Sequence, residues 1–128
     1  MMNRLAVLSD YIDRVAGRKF QWGVNDCLIM VAGAVELMTG VDYAEGYRGR
    51  YSSLAEGKKL IDKSLLKFVG EHLEAINPVH ALDGDVGALR QGREWGFGVF
   101  IGPHLYVMTE NGIGILPRTD ATKAFRVP

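Results

Sequence analysis

The chain has 128 residues, of which 48% are apolar and 23% are charged, so it can build one hydrophobic core but is too short for two domains. Fifteen Lys and Arg residues balance fifteen Asp and Glu residues, and the zero net charge lacks the basic surface that nucleic-acid-binding proteins present. We therefore expect a single domain over residues 1–128 with no nucleic-acid partner.

The apolar segments predict neither a membrane span nor a secretory signal. The longest apolar run covers residues 28–35 and stops at Glu36, well short of the roughly 20 residues that cross a bilayer. Asp10 and Asp13 interrupt the first apolar segment, so it lacks the neutral core of a signal peptide. We expect the protein to fold in the cytosol. The single cysteine, Cys27, can close no internal disulfide and cannot build a structural metal cage alone, so we predict neither a metal nor a cofactor.

The first half of the sequence carries helical patterns. An apolar stripe at spacings of three and four predicts an amphipathic helix that ends at Gly17; its members are Leu5, Leu8, Ile12 and Val15. Asp26 is a favourable N-cap for a second helix from about Cys27 to Met38, which Gly40 ends. This second helix is apolar almost all round, and we expect it to be the buried helix of the domain.

Further helices are predicted after a loop. Residues 41–51 are rich in Tyr, Gly and Arg and show no clear period, which indicates an ordered surface loop. Ser53 and Glu56 form a capping-box pair that starts a third helix. Another helical stretch covers residues 65–76, and Pro78 prevents its continuation.

The second half of the sequence changes to short apolar runs separated by glycine. Five strands are predicted, at residues 85–89, 96–101, 105–109, 112–116 and around 124–127. Asn111-Gly112 favours a tight hairpin turn, so the last strands should form an antiparallel meander. The fold class is therefore α+β, with N-terminal helices packed on a C-terminal antiparallel sheet of about five strands.

Cys27 is the residue whose position most suggests chemistry. A thiol in the first turn of a helix lies in the positive field of the helix dipole, which favours the thiolate that a nucleophile needs. The alternative is that Cys27 is a small apolar residue packed in a helix, the commoner fate of a lone cysteine. Its position alone leaves both interpretations open.

The segment around Cys27 resembles a known family. The string from Phe20 to Cys27 (FQWGVNDC), followed by an apolar helix and by Gly84-Asp85-Val86, resembles the opening of NlpC/P60-type papain-like cysteine peptidases. Over nearly its whole length the chain is also similar to short phage and prophage proteins that share Trp-Gly-x-x-Asp-Cys, a Thr-Gly-x-Asp turn at residues 39–42 and Arg-Gly-x-Tyr at residues 48–51.

The resemblance implies a papain-like fold in which Cys27 is the nucleophile and a histidine is its base. The family places that histidine first in a His-x-Gly-apolar run, and the matching run here begins with Gly96. Its third polar group would stand near Met108 or Thr109, and neither of these is a histidine. Two of the expected catalytic side chains are thus missing from their usual places.

Other residues are candidates for a site around Cys27. His104 is the best substitute base, ahead of His80 and of His72, which we expect on the solvent face of a helix. Gln21 precedes Cys27 by six residues, similar to the oxyanion-hole glutamine of papain-like enzymes, and its amide could stabilise an oxyanion. If a substrate binds, the predicted contacts are Trp22, Asp26 and Trp95. Asp85 is expected to secure a turn at a strand start rather than to bind a metal.

These observations lead to two main hypotheses about function; a third, a cytosolic small-molecule amidase or transferase unconnected with phage, shares the chemistry of the second. The first is a phage or prophage tail-assembly or tail-tip protein with a degenerate NlpC/P60-like fold, which would work beside other tail proteins in the host cytoplasm and then in the virion tail. The second is an active cysteine peptidase or amidase that uses Cys27 to cleave peptides of the cell wall. The first is favoured because a cysteine without a base loses roughly 10²- to 10⁴-fold in rate.

Overall fold

The fold is an α+β domain in which four helices precede and cover a six-stranded antiparallel sheet. A computed structural model describes residues 3–128. The helices are α1 (Arg4–Ala16), α2 (Cys27–Thr39), α3 (Leu54–Ile61) and α4 (Leu65–His72). The strands are β1 (Glu74–Ile76), β2 (Val86–Gln91), β3 (Glu94–Ile101), β4 (His104–Thr109), β5 (Gly112–Pro117) and β6 (Lys123–Arg126).

Helix α2 is the central helix, and its ends are fixed by the residues that the sequence indicated. The Asp26 side chain accepts a hydrogen bond from the Ile29 N–H, and Gly40 ends the helix in the left-handed conformation with φ 81°. Gly33 faces α1, where a Cβ would lie 2.2 Å from the Tyr11 hydroxyl oxygen. The glycine therefore lets Tyr11 approach and donate to the Met30 carbonyl at 2.7 Å, which joins the two helices.

The sheet has the order β1-β6-β2-β3-β4-β5, and every pair is antiparallel. Strands β2 to β5 form a meander, and the Glu110-Asn111 turn closes its last hairpin. Strand β6 returns across the molecule and inserts between β1 and β2. The sheet thus has two edges, β1 and β5.

Each face of the sheet packs against a separate hydrophobic cluster. The larger cluster joins α1, α2 and α4 to the strand residues that face the helices, among them Val86, Phe97 and Val99. The smaller cluster covers the opposite face, with Phe100 and Leu105 at its centre. Asp85 ties the residues before β2 to the C-terminal segment, because its fully buried carboxylate accepts hydrogen bonds from the N–H groups of Leu82 and Val127 and from Arg126 Nε. This confirms the turn-securing role predicted for it.

The predicted fold class is confirmed, while one boundary and the strand count were wrong. The helix expected over residues 65–76 ends at His72, and residues 74–76 form β1, so the sheet has six strands instead of five. Leu73 is extended, with φ −125° and ψ 144°, and Ala75 pairs with Phe125. A pairing partner some fifty residues away along the chain overrides the local helical pattern, as tertiary contacts commonly do.

Within residues 3–128, no helix is both long enough and apolar enough to span a membrane.

Candidate functional site

Cys27 opens α2 where this helix meets the sheet. Its side chain lies against β3, and the Phe97 backbone N–H approaches the sulfur. The residue is half-buried and is a free thiol. The structure therefore places the cysteine as the sequence suggested, in a first helical turn that faces a strand of the antiparallel sheet.

Asp26, the residue before the cysteine, has both carboxylate oxygens engaged within the chain. Oδ1 accepts from the Ile29 N–H at 2.9 Å, while Oδ2 accepts from the Gly23 N–H at 2.8 Å and from the Tyr51 hydroxyl at 2.6 Å. Gly23 has φ 77°, and a Cβ there would lie 2.4 Å from the Tyr51 carbonyl oxygen. The Trp-Gly and Asp-Cys pairs thus belong to one buried connection between the start of α2 and the loop that ends at Tyr51.

The surroundings of the thiol favour its neutral form. Burial and, second to it, the adjacent Asp26 carboxylate together raise the pKa of Cys27 to about 11, against the lowering effect of nearby backbone N–H groups. The fraction ionised at pH 7 is then about 10⁻⁴. The helix N-terminus does not offset burial and the neighbouring negative charge, so the thiolate that the helix dipole was expected to favour is not stabilised.

A largely apolar cavity of about 170 Å³ begins at Cys27 and follows one side of α2. Its floor is formed by α2 residues such as Leu28, Val31 and Val35, and its walls come from α3, α4 and the loop before α3. Trp22, Asp26 and Trp95 line it at the Cys27 end. The predicted contact residues Trp22, Asp26 and Trp95 are therefore brought together beside the thiol.

The wall opposite α2 is built by three tyrosines that the sequence analysis did not single out as site residues. Tyr43, Tyr47 and Tyr51 all line the cavity. The loop turns back along α2, since Tyr47 contacts Phe68 on α4 with ring centroids 5.6 Å apart, and Tyr51 reaches Asp26. Their spacing of four residues was the available signal, because such spacing places side chains on one side of a helical turn.

Helix α3 forms the outer wall of the cavity, and an ion pair on its exposed side links it to β3. None of its residues is buried. Lys58 Nζ lies 2.8 Å from Glu94 Oε1 on β3, with both side chains more than a third exposed. Glu56 Oε1 accepts from the Ser52 N–H and hydroxyl, so the reciprocal half of the predicted capping box reaches Ser52 instead of Ser53.

His104 and Gln21 lie away from the cavity. His104 is exposed at the start of β4, opposite Ile101, and its ring lies near Tyr106. Ile101 follows Phe97 by four strand residues, or about 13 Å, so the imidazole is at the far end of β3 from the sulfur. The Gln21 side chain is exposed, and its backbone closes a tight turn with Asn25.

The other two histidines are also distant from the thiol. His72 lines the cavity, but its ring lies 4.8 Å from that of Tyr43, which follows the C-terminal end of α2. A helix of 13 residues is about 20 Å long, so His72 and Cys27 occupy opposite ends of the cavity. His80 is exposed in a short 3₁₀ turn after β1, where its carbonyl accepts from Arg126.

The position that the peptidase family fills with histidine is closed by a neighbour. A Cβ built on Gly96 would lie 2.6 Å from Gln91 Oε1 on the paired strand. A side chain at this position would have to displace the Gln91 carboxamide. Within the described residues, no group of three or more His, Cys, Asp or Glu side chains is arranged to hold a metal ion. What this site offers is an apolar recess with aromatic walls, not a paired nucleophile and base.

Comparison with known proteins identifies the family of the chain but does not indicate a function. No curated protein matches the chain significantly. The profile of one family, described as a domain of unknown function (DUF6950), matches residues 3–127, which is nearly the entire chain. The chain therefore belongs to the DUF6950 family.

Proposed function

We propose that the chain is a non-hydrolytic, papain-like module that serves the assembly of a phage or prophage tail. The tail setting rests on the sequence resemblance to short phage proteins. The non-hydrolytic part rests on one observation: no imidazole lies beside the Cys27 thiol, because His72 lies at the other end of the cavity and His80 and His104 lie outside it.

The surroundings of Cys27 support a binding role over a chemical one. The thiol is held neutral by burial, and the carboxylate beside it is fully hydrogen-bonded within the chain. A papain-like reaction requires a base that removes the thiol proton and returns it to the leaving group. The aromatic lining of the cavity instead suits the apolar contacts of a partner or ligand.

A complementation experiment tests the proposal. In a prophage from which the gene for this chain has been deleted, a plasmid-borne Cys27→Ala chain should restore particle yield and infectivity to the wild-type level. An Asp26→Ala chain is the contrasting variant, because it disrupts the connection between α2 and the Tyr51 loop, and it should restore fewer particles. Normal particle yield without any copy of the chain would contradict the assembly role.

The cysteine peptidase alternative makes the opposite prediction for Cys27. Purified wild-type protein, incubated with cell-wall peptides, should release no new amine if the proposal is correct. Amine release by the wild type that disappears in Cys27→Ala would overturn the non-hydrolytic part. Particles that assemble with Cys27→Ala but fail to infect would overturn it as well.

A further inference from the structure

The cavity beside α2 is drawn out along the helix and has a limited volume. The α2 residues that line it run from Cys27 to Val35, a span of about 12 Å at the rise of an α-helix. Its volume is about 170 Å³. An engineered apolar cavity of about 150 Å³ takes up benzene, so this one accommodates roughly six or seven carbon atoms. Because the space follows a helix, it suits an unbranched chain better than a ring.

The Asp, Glu and Lys side chains that line the cavity lie at its Cys27 end and are already engaged. They are Asp26, Lys58 and Glu94. The Asp26 carboxylate accepts three hydrogen bonds within the chain, and Lys58 pairs with Glu94. The lining itself therefore offers no unpaired charge to a ligand, and any charged group of a ligand must be met outside the cavity.

Trp95 connects this end of the cavity to two cations. Trp95 lines the cavity, and its ring centroid lies 5.2 Å from Arg90 Cζ and 5.9 Å from Lys123 Nζ. Both cationic side chains are exposed, and within residues 3–128 neither makes a salt bridge. Contact with an indole leaves the N–H donors of a guanidinium or ammonium available. An anionic group beside Trp95 therefore meets two cations without displacing a carboxylate of the chain.

We propose that the cavity binds a straight-chain fatty acid of medium length, with its alkyl chain along α2 and its carboxylate at Arg90 and Lys123. The alkyl chain matches the apolar lining, and the carboxylate complements the two cations beside Trp95. Octanoate fits the volume, because a chain of seven carbons precedes its carboxyl group. This inference names a ligand for the site and rests on the binding role proposed for the cavity, not on the tail setting.

The lining favours an alkyl chain over a peptide. A peptide would carry backbone N–H and C=O groups into the cavity, and a buried amide without a hydrogen-bond partner is unfavourable. Four polar residues of the lining already bind one another, since Tyr51 donates to Asp26 and Lys58 pairs with Glu94. An alkyl chain brings no polar group that would need them.

A series of fatty acids tests the alkyl chain. Isothermal titration calorimetry of the full chain with hexanoate, heptanoate and octanoate should show the affinity rising about fourfold for each added methylene, as expected when each one is buried. The gain should stop beyond decanoate, because the cavity is then filled. Dipropylacetate, a branched isomer of octanoate with the same charge, should bind about tenfold more weakly, since its chains are shorter. No saturable binding of octanoate, or equal binding of the branched isomer, would overturn the proposal.

Variants with unchanged circular dichroism test the placement of the ligand. Arg90→Gln combined with Lys123→Gln should weaken octanoate binding about tenfold and leave the binding of octanol, which has the same length and no charge, unchanged. Ala32→Leu adds side-chain volume to the lining and should weaken both ligands equally. Arg14→Gln is the control, since Arg14 is an exposed cation on α1.

Two results from these variants would overturn the inference. One is octanoate binding that the double variant leaves unchanged, and the other is octanol binding as tight as octanoate binding in the wild type. Either result would leave the proposed function standing, because particle yield with the Cys27→Ala chain tests that function separately.

Discussion

The hydrogen-bonding group around Asp26 allows a quantitative prediction of how the start of α2 is held. Asp26 is buried and accepts from the N–H groups of Gly23 and Ile29 and from the Tyr51 hydroxyl. Asp26→Ala removes all three bonds, and Tyr51→Phe removes one. Asp10→Ala is the control, because Asp10 is an exposed carboxylate on α1 that pairs with the exposed Arg14 four residues later.

The expected losses follow from these contacts. Loss of the N-cap costs about 1 kcal/mol, and each buried donor that loses its acceptor costs about 1–3 kcal/mol. With one cap and two further donors lost, Asp26→Ala should therefore lower the free energy of unfolding by about 3–7 kcal/mol. Tyr51→Phe should lower it by about 1.5–3 kcal/mol, the range for a hydrogen bond to a charged group. Asp10→Ala should change it by less than about 0.5 kcal/mol.

Urea unfolding of the two single variants and the double variant measures the coupling. Trp22 and Trp95 line the cavity beside Asp26, so tryptophan fluorescence reports on this region. Because the Tyr51 hydroxyl cannot be orphaned once it is absent, the double variant should be more stable than the added losses imply, by about 1–3 kcal/mol. Strict additivity of the two losses would refute the proposed connection.

Two further predictions concern stability. Asp85→Ala should lower the free energy of unfolding by about 3–5 kcal/mol in urea, because a buried N–H and the Arg126 guanidinium lose their acceptor; a loss below about 1 kcal/mol would contradict it. The Cys27 thiol has its pKa raised from 9.0 to about 11 on folding, so its contribution is complete below pH 9 and is lost as the pH rises toward 11. Relative to Cys27→Ala, wild-type stability should fall across this window by up to about 3 kcal/mol, and parallel profiles would contradict the raised pKa.

The parts of the fold that local chemistry specifies could be predicted from the sequence. Asp26 and Gly40 ended α2 where expected, since an N-cap carboxylate and a left-handed glycine act within one helical turn. Strand β1 was missed because residues 74–76 are extended only through pairing with β6. Its apolar spacing is equally compatible with continuation of α4.

The candidate site was predictable only in part, for a similar reason. The resemblance to the NlpC/P60 family gave each motif a place in one fold. It therefore allowed Cys27, Trp22 and Trp95 to be assigned to the same site. The distances of His104 and His72 from the sulfur depend on strand register and on the length of α2, which no short motif encodes. The pKa of Cys27 likewise depends on burial against β3 and on the nearby Asp26 carboxylate. The presence of a single cysteine in the sequence indicates neither its burial nor the position of that carboxylate.

The most direct test of the account is the pH dependence of Cys27 alkylation by iodoacetamide in the folded protein. A cysteine peptide of the same local sequence serves as the reference, and Cys27→Ala gives the background. We expect a rate below that of the peptide at pH 7 and an inflection near pH 11. A free cysteine has a pKa of about 8.5. An inflection at or below this pH, together with a rate above that of the peptide, would show an activated nucleophile and contradict the claim that the Cys27 thiol is held neutral.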